Sequence, residues 1–236
     1  MSLQNVLTQF QDFDVSKMCF SPVVENKIKT NSSLPITYRK INISYDNCGK
    51  RKFDASISQE TNLILKTPHL FSFGLSQQEL DNKKSHVLPL CLYSRDGVTP
   101  DETLFVQKLT DIVDKCKSHL ISVRKELKMP LLDEHDLKKF NCLVYKRDDS
   151  GVILKDSLPM LYVKLTESNA GVIYSKFYDS QTSEEIRPLD LMAKYITGVY
   201  ALKVESIYIG SNRFSLQIKL YEASVSQNER TVRRLL

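Results

Sequence analysis

Apolar positions along the chain recur at two spacings. Residues 38–45 place Arg39, Ile41, Ile43 and Tyr45 on one side and Tyr38, Lys40, Asn42 and Ser44 on the other, the period of a half-buried strand. Asp46-Asn47-Cys48-Gly49 then supplies a turn, and further strands are predicted at 53–58, 62–66, 70–73 and 87–93. The period changes at Thr99-Pro100-Asp101-Glu102. Thr99 can cap a helix, Pro100 suits its first position and Glu102 completes a capping box. Phe105, Leu109, Ile112, Val113, Cys116, Leu120, Val123 and Leu127 follow at steps of three and four, so a helix is predicted from Pro100 to Lys128, stopping at Met129-Pro130. Asp133 is expected to cap a second, short helix reaching Phe140.

Beyond residue 141 the period returns to two. Leu161, Val163 and Leu165 alternate with Tyr162, Lys164 and Thr166; after a turn at 167–171, Ile173, Ser175 and Phe177 alternate with Tyr174, Lys176 and Tyr178. One or two helical turns are predicted at 188–194. A long hairpin at 195–223 follows, bending at Gly210-Ser211-Asn212, with Phe214, Leu216, Ile218 and Leu220 facing away from Arg213, Ser215, Gln217, Lys219 and Tyr221. The element pattern defines an α+β protein of mainly antiparallel strands, organised as an N-terminal arm (1–33), one domain (34–223) with inserted helices at about 100–140, and a basic C-terminal tail (224–236).

Composition narrows the classes. With 236 residues, 42% hydrophobic and 26% charged, the chain has ordinary globular chemistry and enough length for a sizeable core. Its first twenty residues lack the basic start and apolar run of a secretory signal, and no run reaches the length of a membrane helix, so an intracellular protein with no membrane partner is expected. Cys19, Cys48, Cys91, Cys116 and Cys142 form no C-x-x-C pair, and His69, His86, His119 and His135 fall in separate segments, so reduced thiols are expected and neither a metal nor another cofactor. Phosphate-loop, dinucleotide and nucleophile-elbow motifs are missing, which argues against an enzyme. Asp148-Asp149-Ser150-Gly151 reads as a turn.

The net charge of +5 is mild but unevenly placed. Between residues 34 and 53, Arg39, Lys40, Lys50, Arg51 and Lys52 stand against Asp46 alone; between 195 and 236, Lys203, Arg213, Lys219, Arg230, Arg233 and Arg234 stand against Glu205, Glu222 and Glu229. Several predicted strand faces pair an aromatic with a cation: Tyr38 with Lys40, Tyr162 with Lys164, Tyr174 and Tyr178 around Lys176, and Tyr221 beyond Lys219, with Lys203 and Arg213 on the hairpin. Single-stranded nucleic acid asks for this combination, because bases stack on aromatic faces while cations follow the phosphates. Each pair alone is also what an ordinary solvated strand looks like, since Tyr favours strands and Lys favours surfaces.

Pro89-Leu90-Cys91-Leu92-Tyr93-Ser94-Arg95-Asp96-Gly97, the Thr99-Pro100-Asp101-Glu102 helix start, Ile186-Arg187-Pro188-Leu189-Asp190-Leu191, Val204-Glu205-Ser206-Ile207-Tyr208-Ile209-Gly210 and residues 215–223 carry a resemblance. Together, over about residues 85–225, they resemble the OB-fold single-stranded DNA-binding proteins of large nucleocytoplasmic DNA viruses, of asfarvirus or phycodnavirus type. The resemblance implies an OB-like barrel, a role in coating and protecting single-stranded DNA during viral replication or repair, and a location at replication sites in the host cytoplasm or nucleus. DNA is then the expected partner, with RNA left open, self-association along it, and replication proteins at the tail. The competing expectation is a structural or scaffolding protein whose tyrosines serve packing and whose charges serve solubility.

Overall fold

A computed structural model describes residues 3–28, 36–46, 60–80, 83–168, 170–210 and 213–227. In chain order the elements are β1 (Gln4–Gln9), β2 (Met18–Phe20), β3 (Val24–Ile28), β4 (Ile36–Asp46), β5 (Glu60–Lys66), β6 (Leu70–Ser72), β7 (Ser76–Leu80), β8 (Lys83–Cys91), α1 (Pro100–Ser122), β9 (Leu143–Val144), β10 (Met160–Leu165), β11 (Lys176–Asp179), β12 (Glu185–Ile186), β13 (Ile196–Ile209) and β14 (Phe214–Gln227). Short 3₁₀ turns lie at Val15–Lys17 and Pro188–Leu191. The described residues fall into two compact units, those within 1–65, 106–142 and 203–218, and those within 66–105, 143–202 and 219–236.

In the first unit β4 pairs with β2, β3, β5 and the end of β13, all antiparallel. The apolar stripe of α1 covers this sheet: Ile112, Val113, Cys116 and Leu120 join Ile41, Ile43, Tyr45, Leu63, Val204, Ile207 and Ile209 in one buried cluster. The first residues belong to that core. Phe13 stacks on Tyr45 with centroids 5.5 Å apart, the Asp14 N–H donates to the Tyr45 hydroxyl at 3.1 Å, and Lys108 Nζ donates to the Phe13 carbonyl at 2.8 Å. A segment expected as an arm therefore contributes three strands, β1–β3, and buried Phe10, Phe13 and Met18.

Two helical expectations need correction. Regular α-helix ends at Ser122 rather than Lys128, because the Arg124 N–H turns to the Ile121 carbonyl, three residues back. The chain then leaves at Lys128 (φ 55°), with Met129 N–H on the Arg124 carbonyl and Lys128 N–H on the Lys125 carbonyl, the bonding of a Schellman stop. The short helix expected after Asp133 is absent. Asp133 Oδ1 does accept the His135 and Asp136 N–H groups, but Lys138 and Phe140 bond three residues back, so the segment is a run of turns that buries Leu132, Leu137 and Phe140. The strand expected at 53–58 lies outside the described residues.

In the second unit five strands close a barrel in the order β6, β8, β10, β14, β13 and back to β6. Every contact is antiparallel except β10 with β14, which is parallel. This is the α+β, OB-fold-like barrel that was expected. Leu161, Leu90, Ser72 and Ile196 stand at one level of its interior, each at most 1% exposed. The closing contact of β13 with β14 is tight at Gly198. A Cβ there would lie 2.2 Å from the Ser224 carbonyl oxygen and 2.8 Å from the Val225 Cα. β14 remains a strand through Gln227, with Val225 buried, inside the segment expected as a tail; Arg230, Arg233 and Arg234 lie outside the described residues.

β10 and β11 run along the same edge of β14: Leu165 faces Leu220, and Phe177 faces Ala223. Residues 166–168 and 170–175 loop out between them. The buried Ser175 hydroxyl pins the base of this excursion, donating to the Leu220 carbonyl at 2.6 Å and accepting the Thr166 N–H at 2.8 Å. The inward positions of β14 shift there from Ile218 and Leu220 to Ala223 and Val225, so one extra residue is absorbed as in a bulge.

Two outcomes follow. Gly198→Ala should lower unfolding stability by about 3 kcal/mol, since backbone rather than a flexible side chain blocks the new methyl; urea denaturation of both forms measures it. In the first unit His119 stacks on Phe20 at 4.0 Å, its Nε2 has no hydrogen-bond partner among the described residues, and burial, opposed by Glu126 and reinforced by Lys115, lowers its pKa from the ordinary 6.5. The unfolded chain therefore takes up this proton first. The contribution is complete above pH 6.5 and declines as pH falls toward the lowered folded value. His119→Phe, which keeps the stack, should flatten the pH dependence of the urea midpoint between pH 7 and 5.

Candidate nucleic-acid interface

The outer surface of the barrel is set by the same registers that fill its interior. Met160, Cys91, Phe71 and Thr197 form one outward row across β10, β8, β6 and β13, and Tyr162 sits beside Pro89 at the next level. These residues floor a cavity of about 840 Å³. Phe71, Phe73 and Tyr195 pack edge to face there, with centroids 5.2 to 5.9 Å apart, the geometry ring quadrupoles favour. Gly74 (φ 81°) lets the chain pass against residues 191–194, where a Cβ would lie 2.2 Å from the Lys194 carbonyl oxygen. That close passage, sealed by the Leu75 N–H on the Leu191 carbonyl, fixes Phe73 near Tyr195.

The walls are loops. One carries Ser94, Arg95 and Asp96, the other Lys146, Asp156 and Ser157. Arg95 and Lys146 bring cations to the rim, and Asp96 and Asp156 bring anions, so the rim is mixed rather than a uniform basic funnel. The capping box holds the first wall. Glu102 Oε2 accepts the Thr99 N–H at 2.9 Å, Thr99 Oγ1 accepts the Glu102 N–H at 3.2 Å, and Glu102 Oε1 accepts the Ser94 N–H at 3.1 Å.

The sequence-predicted residues divide between the units. On the barrel, Tyr162 and Lys164 of β10, Lys219 and Tyr221 of β14, and Lys176 and Tyr178 of β11 all sit opposite the inward set Leu161, Val163, Leu165, Leu220 and Phe177. Lys164 and Lys219 stand directly side by side on neighbouring strands, which brings two cations together on this face. Tyr162 alone among the predicted residues lines the cavity. Lys176 reaches Glu185 at 3.6 Å, and Tyr174 projects from the excursion, 60% exposed. Tyr38, Lys40, Lys203 and Arg213 belong to the first unit. There Tyr38 stacks on Tyr208 at 5.1 Å, and Lys40 lies 3.8 Å from Glu205, so that tyrosine is a packing partner and that lysine half of an ion pair.

Phe71, Phe73, Tyr195, Arg95 and Lys146 escaped the sequence reading. The available signal was the Phe71-Ser72-Phe73 alternation around inward Ser72; looking for an aromatic and a cation on one strand passed over it, because the cations come from loops.

Burial dominates the thiols. It raises Cys91 in the cavity floor and pushes Cys142 up to about 12. Among the described residues, no three His, Cys, Asp or Glu side chains gather as a metal set, and no helix is long and apolar enough to cross a membrane.

The fold and this surface define a class: an OB-like barrel protein with an aromatic cavity on its outer wall. The chain belongs to the family described as "Protein of unknown function (DUF2738)", which matches residues 11–236. It is 30% identical over 220 residues to the early 31 kDa protein of Frog virus 3 (isolate Goorha), covering 89% of this chain and 76% of that protein, which places it among proteins of large DNA viruses.

Glu102→Ala should cost about 2 kcal/mol, because Glu102 is buried, its bonds to Thr99 and Ser94 are partly buried and water does not replace them fully. Thermal and urea unfolding measure the loss, and Glu102→Gln should recover part of it.

Proposed function

We propose that this protein binds single-stranded DNA without sequence preference, coating and protecting it during viral DNA replication or repair. The observation that carries this reading is the aromatic cavity whose floor runs across β10, β8, β6 and β13. Of these, β8 and β10 are the second and third strands of the barrel, the face on which OB folds take up oligonucleotides. Bases stack on Tyr162 and the Phe71, Phe73 and Tyr195 cluster, while Arg95, Lys146, Lys164 and Lys219 follow the phosphates. The remaining predicted residues, Tyr174, Lys176, Tyr178 and Tyr221 on the barrel and Tyr38, Lys40, Lys203 and Arg213 in the other unit, are secondary contacts in this reading. No bond is made or broken; the role is binding.

Fluorescence anisotropy with labelled oligothymidylate, the matching oligouridylate and a duplex across a salt series tests it. Four phosphate contacts give a slope of about −3 in log affinity against log salt, and the single strand should bind well above the duplex. Tyr162→Ala should weaken binding by about tenfold. Absence of saturable single-strand binding would overturn the reading and favour a scaffolding role.

A further inference from the structure

Two turns of the barrel unit are built alike. Residues 148–154 read Asp-Asp-Ser-Gly-Val-Ile-Leu, and residues 168–174 read Ser-Asn-Ala-Gly-Val-Ile-Tyr. In each, the first residue's N–H donates to the valine carbonyl at 2.9 Å and its carbonyl accepts the glycine N–H, at 2.9 Å from Gly151 and 3.1 Å from Gly171. The first residue's side chain also accepts the valine N–H, Asp148 at 2.8 Å and Ser168 at 3.0 Å. Gly151 and Gly171 take φ of 84° and 82°, and Ile153 and Ile173 bridge to Arg147 and Glu167. Leu154 and Tyr174 then bond back to the carbonyls of Lys146 and Thr166.

Such tight turns are ordinarily polar, yet both present apolar tips. Val152 and Leu154 are 61% and 44% exposed, and Val172 and Tyr174 are 54% and 60% exposed. Side chains this exposed add little to folding. Position suggests their use. The first turn leads from β9 into β10, and the second leaves β10 directly, so the pair brackets the six-residue strand that carries Tyr162 and Lys164, a span of about 20 Å. The first turn also continues into the cavity wall through Lys146 and Asp156. Its cations Lys146, Arg147 and Lys155 are matched by Asp148, Asp149 and Asp156, so the tip offers an apolar surface rather than a charge. The flat face of a base is the occupant that suits it.

We propose that the two turns are stacking wedges that grip the ends of the single-strand segment lying along β10, and so set the length of strand the protein occludes. The proposal rests on the single-strand reading above. Val152→Ser with Leu154→Ser, and separately Val172→Ser with Tyr174→Ser, leave Asp148, Ser168 and both glycines in place. Each double variant, the wild type and Tyr162→Ala are titrated with oligothymidylates from about 4 to 16 nucleotides, the range of OB-fold site sizes. Each tip variant should bind long oligomers about tenfold more weakly and the shortest ones as the wild type does, whereas Tyr162→Ala should weaken binding at every length. Tip variants that match the wild type throughout, or that lose affinity equally at every length, overturn the wedges and leave the binding reading standing. The same holds if they change only the self-association of the protein in size-exclusion chromatography. A wild type that binds no oligomer overturns both.

Discussion

A five-stranded barrel closes only if its last strand finds a partner on each side, and here that strand is β14. One edge takes β13 through a hairpin, which costs little connection because antiparallel neighbours need only a short turn. The other edge takes β10 in parallel, and parallel neighbours need a crossover. That connection includes β11, β12 and β13: the chain leaves the barrel wall at Thr166, returns at Ser175, follows β14 as β11 and then turns through β12 before β13 begins. Gly198 and Ser175 are the points where this closure is tightest, one by leaving out a side chain and the other by spending its hydroxyl on two backbone groups.

Closure decides what faces outward. Once Leu161, Leu90, Ser72 and Ile196 fill one interior level, the neighbouring residues Met160, Cys91, Phe71 and Thr197 must form an outward row, because side chains alternate along every strand. The cavity is that row with walls added. One wall is held by the same carboxylate that starts α1, so the helix cap and the surface above the barrel depend on a single buried glutamate. The rim is mixed in charge and the floor is aromatic, while Lys164 and Lys219 stand side by side on β10 and β14.

Much of this was legible in the residues. The Thr99 to Glu102 capping box, the helical stripe from Phe105 to Leu120, the alternation of β10 and the turn at Asp148 all follow from local chemistry, and each is found where its pattern predicts. Local cues misled where several endings compete: Asp133 caps a turn that never becomes a helix, because Leu132, Leu137 and Phe140 are buried by a segment bonding three residues back. The tyrosine and lysine pairs were visible as pairs, but their fates differ. Lys40 meets Glu205 and Tyr38 meets Tyr208, partners distant in sequence that no strand pattern announces, and Lys176 meets Glu185 on the next strand.

The sequence by itself determined the periods, the turns, the helix start and hence a mainly antiparallel α+β chain with polar strand faces carrying tyrosines and lysines. Tertiary structure decided which of those faces share a surface. Phe71, Phe73 and Tyr195 meet because β6 and β13 are neighbours in a closed barrel, and Tyr162 joins them through β8. The physical reason is range: alternation and capping act over a few residues, whereas strand order depends on which distant edges pair when the barrel closes, and the cavity exists only once they do.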